Sequence, residues 1–190
     1  MYQFYVNNEL YQVEGNGKLL PFLRDVCKCK SVKDGCSEGA CGCCTVLIDG
    51  KGVTSCMLLT VDCDGKDIVT IEGLEDPEKG LDPLQQAFID EYAFQCGYCT
   101  PGIIMAAKAL LLENPHPTGD EIKEAMSGNY CRCISHYTVL RAINRVAGNE
   151  EDHLAVMHRA NDDVENPIPV RQELFLSPYA NGTNSDHSLD

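Results

Sequence analysis

The chain has 190 residues, 12 of them cysteine, with 44% hydrophobic residues and a formal net charge of −14 at pH 7. Nothing in so acidic a chain would neutralise phosphates, which argues against nucleic acid and an anionic membrane surface as partners, and no stretch approaches the ~20 apolar residues of a membrane span. The length allows one domain or two small ones.

In chain order, Tyr2–Val6 and Glu9–Val13 are β-rich runs around Asn7-Asn8, a hairpin turn. Gly15-Asn16-Gly17 is a turn, too short for a dinucleotide site. Leu19, Leu20, Phe22, Leu23 and Val26 have the spacing of one apolar helix face. Thr45–Ile48, Asp49-Gly50 and Val53–Leu59 predict a second hairpin, and Asp67–Ile71 a fifth strand. Strands wrapped on one helix give an α+β fold of the β-grasp kind.

Past the turn-rich Gly73–Asp82 the pattern becomes helical. Leu84–Ala93 is one helix. The next is opened by Thr100 as N-cap and Pro101 at N1, and runs through Ile103–Leu112. Thr118 and Glu121 form a capping signal for Glu121–Met126, and Thr138–Val146 is the last helix. Four short helices with cysteine pairs in their connections predict a small bundle around a metal. The expected organisation is residues 1–75, residues 76–148 and an acidic tail over 149–190. That tail holds nine Asp and Glu against Arg159 and Arg171.

Eight cysteines fall into two sets. Cys36, Cys41, Cys44 and Cys56 have the C-x4-C-x2-C spacing, with a distant fourth ligand, of a plant-type [2Fe–2S] site. Gly35, Gly39 and Gly42 can take left-handed conformations there and bring N–H groups to sulfur. The second set is Cys96 and Cys99, just before the Pro101 helix, with Cys131 and Cys133 after Gly128-Asn129-Tyr130. Zinc ribbons also use C-x2-C pairs, though usually two of them, and zinc stays open for this second set. A disulfide scaffold is disfavoured: Met1-Tyr2-Gln3-Phe4 has no basic n-region and no apolar h-region follows, so a reducing, cytoplasmic setting is expected. Of the other four cysteines, Cys43 reads as a small buried filler and Cys27, Cys29 and Cys63 as inert buried thiols. A redox role for Cys27-Lys28-Cys29 is the minor alternative.

Ser31–Cys44 (SVKDGCSEGACGCC), Thr45–Cys56 (TVLIDGKGVTSC), Gln95–Gly102 (QCGYCTPG) and Ser127–Cys133 (SGNYCRC) together resemble the small iron–sulfur subunit of the molybdenum hydroxylases, the xanthine dehydrogenase family. The likeness covers residues 1–148. It implies an N-terminal β-grasp, plant-type ferredoxin-like domain, then a four-helix domain, each with one [2Fe–2S] cluster. In that family a large partner subunit carries a molybdopterin that hydroxylates a carbon using water. Electrons pass through the helical-domain cluster, then the plant-type one, to FAD, usually on a third subunit. The resemblance places Gln95 on the pterin and Cys133 beside it. It leaves this chain an oxidoreductase subunit with no complete active site and no catalytic residue of its own. Ile134, Ser135 and His136 depart from the family's usual Thr-Gly-Tyr after C-R-C, and Cys43 from its usual alanine or threonine. Ser31–Cys44 is most like xanthine and purine dehydrogenases. Nicotinate, aldehyde, carbon monoxide and aromatic-ring hydroxylases use similar subunits, and a free-standing ferredoxin-like carrier is the other alternative.

Overall fold

β1 (Tyr2–Val6) and β2 (Glu9–Val13) pair antiparallel with Val6 opposite Glu9. Asn7 and Asn8 between them sit at φ 50° and 68°, the consecutive left-handed residues a two-residue hairpin needs. β3 (Thr45–Ile48) and β4 (Lys51–Thr54) repeat the device around Asp49 and Gly50. β5 (Asp67–Val69) lies between the hairpins, parallel to β1 and antiparallel to β3, giving the order β2-β1-β5-β3-β4. The computed structural model describes residues 1–149. All of the expected acidic tail except Asn149 therefore lies outside the described residues.

Two of these strands are shorter than the sequence predicts. β4 stops at Thr54 because the chain coils into a 3-10 turn over Ser55–Met57; the Ser55 N–H and hydroxyl both still donate to the Cys44 carbonyl, at 3.2 and 2.9 Å. That turn carries Cys56 to the cysteine loop. β5 stops at Val69, where the Thr70 N–H is taken by Asn7 Oδ1 at 2.9 Å.

The first helical segment is a short turn, α1 (Leu19–Pro21), widening into a π turn over Phe22–Val26. It lays Leu19, Leu20 and Leu23 against Phe4, Val6, Val46, Ile48 and Ile68 of the sheet. Each such large side chain contributes about 1.5–3 kcal/mol of burial.

The other four helices are α2 (Pro83–Asp90), α3 (Thr100–Glu113), α4 (Gly119–Met126) and α5 (His136–Ala147). Asp82 with Gln85, and Thr118 with Glu121, form capping boxes. Ser135 caps α5, which begins at His136, two residues ahead of the expected Thr138, and Gly148 at φ 74° ends it. At α3 the expected cap is corrected. Cys99, not Thr100, is the N-cap, because the Cys99 carbonyl already accepts from Ile103 N–H at 3.1 Å.

Leu84, Phe88, Ile103, Ala107, Ile122, Met126 and Ile143 form a second apolar core among these helices. α3 also packs on β3 and β4. Gly52 makes room there, since a Cβ on it would lie 3.1 Å from Ala109 Cβ. β3 is thus covered on both faces, which is why it reads as an unbroken run rather than an alternating one. Both cores belong to one compact unit. No helix among the described residues is long and apolar enough to cross a membrane.

Candidate metal centres

The segment from Ser31 to Cys44 forms neither helix nor strand. It coils through left-handed positions at Ser37, Gly39 and Gly42, with φ 58°, 77° and 71°. Gly35 is not left-handed as expected; its role is space, because a Cβ there would sit 2.8 Å from Cys41 Sγ and 3.1 Å from Cys43 Sγ. The coil turns N–H groups onto sulfur. Glu38 N–H donates to Cys36 Sγ at 3.4 Å and Gly39 N–H to Cys56 Sγ at 3.2 Å. The Glu38 N–H, followed by the N–H and side chain of Cys41, lowers the Cys36 thiol to about 7. Burial and then the Cys44 side chain push Cys56 up to about 11. Cys36 thus meets Cys41, which also meets Cys43, and Cys56 meets Cys44.

The second set behaves alike. Cys96 and Cys99 lie between α2 and α3, and Cys131 and Cys133 between α4 and α5. The sulfurs of Cys133 and Cys96 are 3.7 Å apart. Burial and then the Cys131 side chain push Cys99 up to about 12. Burial would raise Cys131 too, but N–H groups of Ile134 and Cys133, each 3.3 Å from its sulfur, and the Cys99 side chain hold it below its ordinary value. Cys96 and Cys133 are exposed, as is Gln95 beside Cys96.

A binuclear iron–sulfur cluster wants two thiolates on each iron with amide donors around the sulfurs, and this donor set fits it. Beside Cys99 the buried Thr100 Oγ1 has no hydrogen-bond partner among the described residues, and the free N–H groups of α3 begin there, a favourable place for an anionic group. Both features suit sulfur acceptors next to Cys99.

The two sets touch along one seam. Tyr130 N–H donates to the Cys41 carbonyl at 2.9 Å and Asn129 Nδ2 to the Gly42 carbonyl at 3.2 Å. Tyr98 Oη donates to the Asp34 carbonyl at 2.7 Å. A Cβ on Gly102 would lie 2.2 Å from the Gly42 carbonyl oxygen and 2.9 Å from Cys43 Cα. Sequence reasoning missed Asn129 and Gly102 as parts of the site; their only signal was adjacency to the cysteine motifs. Cys43 is buried at this seam. Cys63 and Cys29 lie in the sheet core, and burial pushes Cys27 up to about 12, which suits inert thiols.

A family model described as "[2Fe-2S] binding domain" matches residues 70–144. The second cysteine set lies inside it, which answers the zinc alternative. The "Nicotinate dehydrogenase small FeS subunit" of Eubacterium barkeri is 50% identical over 131 residues, 68% of this chain and 82% of that protein. The chain belongs to the small iron–sulfur subunits of the molybdenum hydroxylases. Membership makes it an electron-transfer subunit of an oxidoreductase. A probable xanthine dehydrogenase subunit from Bacillus subtilis (strain 168) is another relative in this family, 42% identical over 143 residues, 74% of this chain and 82% of that protein. Among solved structures, quinoline 2-oxidoreductase from Pseudomonas putida 86 has a chain with a TM-score of 0.72 and 41% identity, covering 80% of this chain and 95% of its own.

Proposed function

We propose that Cys36, Cys41, Cys44 and Cys56 hold a plant-type [2Fe–2S] cluster in a β-grasp domain over residues 1–75, and that Cys96, Cys99, Cys131 and Cys133 hold a second in a four-helix domain over residues 76–148. The observation that supports this is the meeting of Cys36 with Cys41 and of Cys44 with Cys56; on this reading Cys36 and Cys41 share one iron of the first cluster and Cys44 and Cys56 the other. In the second, Cys96 shares an iron with Cys133, and Cys99 with Cys131. Each bound cluster supplies a one-electron carrier. The protein's own contribution is to aim N–H groups at Cys36, Cys56 and Cys131 and to exclude water from Cys44, Cys56 and Cys99.

The exposed edge of Gln95, Cys96 and Cys133 faces a large molybdopterin-binding subunit in this reading. The Gln95 amide has both donors and an acceptor to offer a pterin edge. Electrons then arrive at the helical half and leave from the sheet half, towards an FAD-binding subunit, in the cytoplasm. Relatives named for nicotinate, xanthine and quinoline support a nitrogen-containing aromatic ring as substrate. The purine expectation is one member of that class.

Purification of the complex tests the reading: about four irons per chain, no zinc, and a molybdenum-containing partner are expected. Stoichiometric zinc overturns the ligand assignment, a lone chain favours the free carrier, and turnover of aldehydes but not heteroaromatic rings overturns the substrate class. Gln95→Ala should slow reduction of both clusters by substrate in stopped flow while leaving dithionite reduction unchanged. An unmodified substrate rate removes the pterin role.

A further inference from the structure

The residue that builds the seam between the two cysteine sets belongs to neither. Asn129, two positions before Cys131, is only 8% exposed despite its polar side chain. Its Nδ2 donates to the Gly42 carbonyl, a buried hydrogen bond spanning 87 positions. The same carbonyl accepts from Thr45 N–H at 3.1 Å and Thr45 Oγ1 at 2.7 Å, so it is anchored from its own side and Asn129 closes on a fixed point. One residue along each chain the link is repeated, from Tyr130 N–H to the Cys41 carbonyl. A Cβ on Gly42 would fall 2.5 Å from Asn129 Nδ2, so only glycine admits the amide at this approach.

A seam that needed only filling would take an apolar side chain, because a buried amide with a poorly met bond destabilises the fold. An amide donating to a carbonyl already anchored by Thr45 fixes direction as well as distance. We propose that Asn129 is a positioning residue, setting the separation and orientation of the two ligand sets and through them the rate at which an electron crosses. The inference rests on the reading that both sets carry [2Fe–2S] clusters. In the crossing one cluster loses the electron the other gains, with no bond or proton changing.

The test uses the purified complex with Asn129→Ala and with Asn129→Asp, which keeps the volume but turns an acceptor towards the Gly42 carbonyl. The parent must first show about four irons per chain and two electron-paramagnetic-resonance signals; a parent lacking them fails the underlying reading, not this inference. Both variants should keep the iron and each cluster's own signal. The spin–spin splitting between the two reduced clusters should change. Freeze-quench should show substrate electrons reaching the first cluster several-fold later, with the second cluster reduced at the parent rate. Parent splitting and parent rate in both variants overturn the proposal. So does loss of one cluster's iron in both, because Asn129 would then serve cluster retention instead.

Discussion

The two cysteine sets each offer four sulfurs and differ in how the chain delivers and covers them. In the first, three thiols come from one short coil shaped by left-handed residues, and Cys44 and Cys56 are each 2% exposed. In the second, two turns between helices bring the thiols together, and Cys96 and Cys133 stay exposed although Cys99 is buried. The first site is thus shaped locally and covered on its Cys44 and Cys56 side, with Cys36 and Cys41 half-buried. The second depends on helix packing and is open on one edge. For a one-electron relay that division is useful: an open edge lets a partner's donor come close, while burial keeps the onward carrier from solvent.

The largest effects should come from the thiols themselves. Cys41→Ser should abolish the first cluster and Cys99→Ser the second, each halving the iron and erasing one resonance signal. Cys63→Ser should leave both, since Cys63 sits in the sheet core with its S–H directed at the Leu59 carbonyl. Loss of a signal in Cys63→Ser with both retained in Cys41→Ser would reverse the assignment. Iron removal should further separate the halves, because metal binding is folding energy for whatever segment it orders. Hydrogen exchange should rise most in residues 31–44, which have no helix or strand of their own, and least in α3, which has a core. Equal increases in the two would erase the distinction between a local and a packed site.

Glycines sharpen the comparison at the next level down. Gly102→Ala places a methyl against the Gly42 carbonyl and the Cys43 backbone, neither of which can swing aside, so a loss of about 3 kcal/mol is expected. Gly97, on the open edge, has φ 79° but nothing within 4 Å of a Cβ. Gly97→Ala should cost only the left-handed strain, about 1 kcal/mol. Chemical unfolding of the two holo-variants reads the difference. An edge variant as damaging as the seam variant would mean that the edge is packed after all.

Much of this was legible in the sequence because it is local. Asn7-Asn8 and Asp49-Gly50 declare their hairpins, and Thr118 with Glu121 a helix start, through chemistry confined to a few neighbours. The cysteine spacing declared the two sets for the same reason. What escaped depends on residues far apart in the chain. β5 ends early because the distant Asn7 takes the Thr70 N–H, whereas Thr100 is a local exception, losing its expected capping role because the helix already begins on the Cys99 carbonyl. Gly35 looked like a conformational residue and is a steric one. Asn129 and Gly102 matter only because α3 and the α4–α5 turn close on the Cys41–Cys44 coil, which no periodicity encodes.

The smallest expected effect probes what holds the packed half together. Glu91, at the end of α2, has a side chain only 12% exposed and receives hydrogen bonds from Arg141 and, at 3.1 Å, from Arg145 of α5. Burial alone would raise its carboxyl, but the Arg145 and Arg141 guanidinium groups outweigh it and hold the group below the usual carboxylate range. A carboxyl depressed in the folded state stabilises it fully above the unfolded value, near 4.3, and that contribution is lost as pH falls through the folded value. Glu91→Gln should therefore cost about 1 kcal/mol at pH 7, since both arginines are partly solvated, and progressively less as pH falls through the folded value, below which the parent carboxyl is protonated too. Urea unfolding at pH 7 and along a descending pH series gives the comparison. A gap that stays constant with pH would assign the stability of the α2–α5 contact to packing rather than charge. The Glu91 charge would then add nothing to the assembly of the second cysteine set.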